Sequence, residues 1–290
     1  MEKKFILTDK FIISDSGAKL FQIECVKDCK YAKKGDLGGY VENEKNLSQN
    51  GDSWISGNAC VSGNACVSDN AQVSGDAWVY GNALVSDNAR VSGNALVSDN
   101  AQVYGNALVS GNARVSGNAL VSDNAQVSGN AWVYGNAHVA GNAQVYGNAL
   151  VSDNAQVSGN AWVYGNARVF GYAQIFGDAR VSGDAQIYGN AWISDNAQIS
   201  GNARILGNAR VFGYAQISDN CKHCGFDNFG SRDGHTHAYL TKDNEIEVVC
   251  GCFRGSLEEF LKKVEETHKG TIYEKQYKAI IEVIKVKFGL

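Results

Sequence analysis

From Ile55 to Ile217 an aliphatic residue, Val or Ile, falls at every sixth position, 28 times in succession without an insertion. Four residues after each of them sits Ala, from Ala59 to Ala215, 27 in a row, and Cys221 occupies the next such slot. No amphipathic helix repeats in six. The unit reads Val-Ser-Gly-Asn-Ala-X, with Asp replacing Gly in places, as in Gly57-Asn58 and Asp69-Asn70. Ala and Val stand two apart and point to one side of an extended segment, while X and Ser point to the other. Gly, Asp and Asn tolerate the left-handed backbone region, so the Gly/Asp-Asn pair marks a corner after a strand of about four residues, Ala-X-Val-Ser. Three hexads closing a triangle predict a prism of about nine coils, with Val, Ile and Ala inside. The 33 Gly would otherwise point to linkers, but a Val-plus-Ala pair in each hexad supplies a core that linkers lack. The chain has no Pro, in keeping with a backbone whose N–H groups all bond to neighbouring coils.

This pattern resembles the hexapeptide repeat of left-handed parallel β-helices, and the resemblance implies that hand. The fold expected is mainly β: a left-handed parallel β-helix over 41–222, an N-terminal β cap over 1–40 and a small α+β module over 223–290. In the cap, Phe5-Ile6-Leu7, Phe11-Ile12-Ile13 and the stretch Leu20 to Val26 read as short strands. The segment Gly35-Asp36-Leu37-Gly38-Gly39-Tyr40-Val41-Glu42, with Asn46 to Gly51, resembles that of phage-encoded and bacterial β-helix proteins related to YdcK, which their hexapeptides associate with acyl transfer. Beyond Cys221, His235–Leu240 and Glu245–Val249 read as a hairpin. Ser256 with Glu259 forms a capping box for a helix with Leu257, Phe260, Leu261 and Val264 on one face, and Thr271 with Glu274 opens a second, striped by Tyr277, Ile280, Ile281 and Ile284. Cys250-Gly251-Cys252-Phe253 and the helix after it resemble the C-terminal module of phage and prophage proteins.

A net charge of −4 builds no field that would attract polyphosphate, so nucleic acid is not an expected partner. No apolar run has the length of a membrane span, and no secretory signal is read at the N-terminus. Eight Cys without such a signal point to a reducing cytoplasm, that of a bacterial host if the protein is phage-encoded.

Four sets of residues could carry function. Cys221, Cys224, Cys250 and Cys252 are candidates for a structural zinc site, with ordinary buried thiols as the rival reading; no other cofactor is expected. His138 is the single imidazole in the repeat and the candidate base of a hexapeptide-type acyltransferase, although it sits on a flat face with no loop to wall off a pocket. Ser231, Arg232, His235 and His237 could hold a small phosphorylated ligand, as in a phage counter-defence protein. Sorting the outward residues by coil places Trp78, Tyr80, Leu96, Trp132, Tyr134, Leu150, Phe170 and Tyr188 on one face, an aromatic and aliphatic strip that reads as an interface rather than a stabilising ladder alone. The leading expectation is a non-enzymatic scaffold that forms a dimer or trimer and docks partners or ligands; the alternatives are a hexapeptide-type acyltransferase and a phage counter-defence protein that binds a host protein or a small phosphorylated ligand.

Overall fold

The computed structural model describes residues 2–290, the side chain of Cys221 excepted. The chain forms two compact units, Met1–Gly159 and Asn160–Leu290.

The first unit opens with an antiparallel pair, β1 (Phe5–Ile13) and β2 (Lys19–Cys25), followed by β3 (Leu37–Val41). Where the sequence reads two short strands before Asp15, the structure has one, with a register shift between Leu7 and Phe11 that absorbs the polar residues Thr8, Asp9 and Lys10. β3 changes the sheet from antiparallel to parallel, because it pairs with β2 on one side and with the Cys60–Val61 rung on the other. Gly38 and Gly39 make this possible: a Cβ on Gly38 would overlap Ile23 and the Ile55 carbonyl, and one on Gly39 the Ala59 carbonyl. Lys4 is buried here, its Nζ donating to the Ser53 carbonyl at 2.8 Å, and burial lowers its pKa.

From Trp54–Ile55 to Gln156–Val157 the first unit is a parallel solenoid of eighteen rungs, three to a turn, each only two residues long in place of the four expected. The outward X residue and the inward Val form the strand. Its N–H bonds run one turn along, as Trp78 N to Ala95 O at 2.9 Å and Tyr80 N to Val97 O at 3.0 Å. Every Val and nearly every Ala of the rungs is wholly buried, so each rung withdraws one aliphatic side chain from water, worth about 1.5–3 kcal/mol before chain entropy. The corners carry positive φ as the composition required: 70° at Gly93, 59° at Asp99. Beyond most corners the Asn side chains donate to one another in files, Asn82 to Asn100 at 3.0 Å and Asn100 to Asn118 at 3.0 Å.

The second unit continues the six-residue pattern through ten rungs, Trp162–Val163 to Gln216–Ile217, with Ile increasingly taking the Val position. A four-stranded antiparallel sheet follows: β4 (His223–Phe229), β5 (Gly234–Leu240), β6 (Ile246–Cys250) and β7 (Phe253–Ser256). The sequence yields the central hairpin, β5 and β6; the two flanking strands are additions from the structure. Two helices, α1 (Leu257–His268) and α2 (Ile272–Phe288), begin at the expected Ser256 and Thr271 caps. Their apolar stripes and one sheet face, with Ala238 and Val248, form the module's core. The other sheet face meets the last rungs. Tyr239 Oη accepts from Phe212 N at 3.2 Å, His237 Nδ1 donates to the Arg210 carbonyl at 3.1 Å, and Lys242 N donates to the Tyr214 carbonyl at 3.0 Å. Two polar side chains and one main-chain N–H thereby occupy backbone groups that an open solenoid edge leaves unpaired.

Candidate functional site

Stacking brings the outward residues of the first unit into register by exact eighteens. One face carries Trp78, Leu96, Arg114, Trp132 and Leu150 as direct ladder neighbours. Trp132 is 40% exposed, its ring centroid 4.9 Å from that of Tyr134 and 5.8 Å from the Arg114 guanidinium. Part of this strip therefore stabilises the coil itself through cross-strand and cation–π contacts, worth about 0.5–1 kcal/mol each. Gln, Arg and Ser separate the apolar residues more often on the other two faces, where ladders run Leu84, Gln102, Leu120 and Gln72, Arg90, Leu108. In the second unit, Phe170 and Tyr188 stack with centroids 5.0 Å apart and planes 6° from parallel.

His138 is exposed and has Leu120 and Gln156 as ladder neighbours. No carboxylate from either adjacent rung orients its ring.

The C-terminal sheet divides the other candidates between its two faces, a consequence of strand alternation. His223, His235 and His237 lie on the face toward the last rungs. A carbonyl can only accept, so the bond to Arg210 fixes the proton of His237 on Nδ1 and leaves Nε2 to accept from His223 Nδ1 at 3.1 Å. Burial, then the neighbouring His223, push His237 down to about 3; burial, then Lys287, push His223 down to about 4. His235 donates to Asp227 at 2.8 Å.

Ser231, Arg232, Cys250 and Cys252 belong elsewhere. They line a cavity of about 220 Å³ with Phe253, Phe260, Lys263, His268 and Tyr277. The expected grouping of Ser231 and Arg232 with His235 and His237 is thus not formed; Lys263 and His268, contributed by α1, take the place of the two sheet histidines. Cys224 and Cys250 pack against the module's apolar core, and burial pushes the Cys224 thiol up to about 11. Cys252 is exposed. Cys221 lies outside the described side chains, and among the described residues no three His, Cys, Asp or Glu groups are gathered to hold a metal. Among the described residues, no helix is long and apolar enough to cross a membrane.

Three parallel stacks of two-residue rungs, turned at positive-φ corners, define a parallel β-solenoid protein. The match to a known family agrees: residues 71–87, 89–101, 101–117, 113–125, 125–141, 143–159, 173–186 and 197–213 fit the YdcK β-solenoid repeat. The repeat segment of this chain is similar to that family over these residues. No curated protein matches the chain significantly.

Proposed function

We propose that the protein is a non-enzymatic, left-handed solenoid scaffold that self-associates through the face bearing Trp78, Tyr80, Leu96, Trp132, Tyr134 and Leu150. The observation that carries this reading is the ladder in which Trp78, Leu96, Arg114, Trp132 and Leu150 follow one another at every turn without a carboxylate among them. A flat face with fixed spacing between turns is matched best by a surface with the same spacing, and a second copy of the chain presents one. The aromatic and Arg composition is that of interface cores. The second unit's Phe170 and Tyr188 offer the same chemistry. A dimer uses the face isologously; a trimer, the habit of hexapeptide enzymes, is the other closed arrangement. We propose with it a cytoplasmic location and reduced cysteines, in a bacterial host if the protein is phage-encoded.

The alternative role, acyl transfer with His138 as base, lacks support from its surroundings, since its ladder neighbours are Leu120 and Gln156 and a base needs an orienting partner and a pocket. Sedimentation and native mass spectrometry test the proposal. The unmutated chain is expected to be oligomeric at micromolar concentration, and Trp78→Gln with Trp132→Gln to shift it toward monomer with unchanged β-sheet circular dichroism. A monomeric unmutated chain would overturn the scaffold reading, and saturable acyl transfer abolished by His138→Ala would establish the enzyme.

A further inference from the structure

The cavity beneath the loop joining β4 and β5 has a one-sided electrostatic character. Arg232, Lys263 and His268 line it, and among the described residues no Asp or Glu does; the Glu266 carboxylate, 3.7 Å from Lys263 Nζ, is outside the lining. Its body is aromatic: Phe253 and Phe260 have ring centroids 5.1 Å apart, Phe260 and Tyr277 5.6 Å, and Tyr277 and His268 5.4 Å. From these observations we infer that the C-terminal module binds a small aromatic anion, its ring against Phe253, Phe260 and Tyr277 and its acidic head toward Arg232 and Lys263.

Size restricts the class. About 220 Å³ holds a single substituted ring and is below the 300–1,000 Å³ usual for drug-sized ligands and cofactors. The aromatic lining favours a flat ring over an alkyl chain through edge and face contacts that an alkyl chain does not make. The cationic rim favours a carboxylate or phosphate head, which the planar guanidinium of Arg232 meets with two parallel hydrogen bonds.

The loop is placed for this purpose by its own chemistry. Gly230 has φ +77 and lies so close to Tyr277 that a Cβ would overlap the phenol oxygen. Gly230 N also donates to Gln276 Oε1 at 3.0 Å, which ties the loop to α2 and holds Arg232 at the cavity mouth. Burial, then Cys250, raise the Tyr277 phenol to about 12, so it stays neutral at physiological pH and adds no charge that would repel an anion. This site is independent of the self-association face, which lies on the first unit.

The test uses the full chain and four probes: phenylacetate and phenyl phosphate as aromatic anions, phenylacetamide as the neutral isostere and hexanoate as the aliphatic anion. Calorimetry is expected to give a Kd near or below about 1 mM for at least one aromatic anion, the range open to a ligand of this size. The amide and hexanoate should each bind about tenfold more weakly, having lost a charge-assisted hydrogen bond or the ring contacts. The two aromatic anions distinguish a carboxylate ligand from a phosphate. Cys252, the exposed thiol in the cavity wall, should be alkylated more slowly when the anion is bound. Arg232→Met and Lys263→Met alter exposed side chains, and each should weaken the anion about tenfold while leaving the amide unchanged. Equal affinity for anion and amide, no binding of either aromatic anion, or binding that survives both substitutions and leaves Cys252 unprotected would each overturn the inference.

Discussion

The carboxylate of Asp99 accepts a hydrogen bond from the backbone N–H of Gly117, one turn along the coil, at 3.0 Å. The same relation joins Asp87 to Gly105, Asp123 to Gly141 and Asp195 to Gly213. It explains why two residue types alternate at one corner position. Gly meets the positive φ without strain, whereas Asp accepts some strain and returns a hydrogen bond to a corner N–H of the next turn. Glu42 does the same for Gly63, donor and acceptor 2.6 Å apart. Asp99→Ala is therefore expected to lose the bond and keep the strain, costing about 1 kcal/mol locally after allowance for exposure. Asp99→Asn, which retains an acceptor and tolerates the backbone, should cost less. Hydrogen exchange at the Gly117 amide reads the difference; unchanged protection in the Ala variant would remove the carboxylate's role.

Val127 is wholly buried and has Val109 and Val145 as its ladder neighbours. Val127→Asp would place a carboxylate among stacked aliphatics without a partner, a cost of several kcal/mol. The variant should be insoluble or melt far below the parent by circular dichroism. A soluble variant with the parental melting curve contradicts an inward Val.

Acid should weaken the C-terminal module before the carboxylates are titrated. His223 and His237 have folded-state pKa values of about 4 and about 3, against an ordinary value of 6.5. Between these limits the unfolded chain takes up protons that the folded one refuses, so the stability present above pH 6.5 is lost progressively as pH falls toward 4. Urea unfolding followed by helical circular dichroism, whose signal comes from α1 and α2, is expected to show a lower unfolding free energy at about pH 5 than at about pH 7, by roughly 2 kcal/mol for each imidazole that stays neutral in the fold. His237→Gln should flatten that dependence. A midpoint independent of pH across this window would show that neither imidazole is held neutral by the fold.

Two glycines of the module separate conformational strain from steric overlap. Gly251 has φ +58 with nothing within 4 Å of an added Cβ, while Gly230 has φ +77 and faces the Tyr277 hydroxyl. Gly251→Ala should cost about 1–2 kcal/mol, the left-handed penalty alone. Gly230→Ala must also displace Tyr277 or the loop, and about 3 kcal/mol or more is expected. Equal unfolding midpoints for the two variants would show that the loop yields freely.

The solenoid was legible because its core and corners obey one short period: Val or Ile, then Ala four residues on, then nothing that interrupts. The helices of the module were legible for a different reason, since Ser256 and Thr271 announce them locally. The flanking strands were not. His223-Cys224-Gly225-Phe226-Asp227-Asn228-Phe229 has neither clean alternation nor β-branched residues, and β7 is four residues long; both are strands because the central hairpin offers them edges. The cavity was half legible. Ser231, Arg232, Cys250 and Cys252 are near one another in sequence or across the hairpin, but Lys263, His268 and Tyr277 reach it from two helices, a long-range arrangement with no sequence period. Proximity along the chain groups His235 and His237 with Arg232, yet alternation in β5 turns them toward the last rungs.

The corner geometry gives this chain two separate measures of length. The interior repeats every six residues, so the core of the first unit does not register the gain or loss of a single hexad: Val still follows Ala inward, and Gly or Asp still turns the chain. The outside repeats every eighteen, as the Asn files record. A six-residue deletion between Arg114 and Trp132 would leave the interior intact while moving Trp132 and Leu150 onto a different face from Trp78 and Leu96. Only whole turns can be added or removed without disturbing both measures. Recombination among such similar repeats can therefore change the molecule's length in small steps that folding tolerates, but it preserves the pattern of its outer faces only in steps of one full turn.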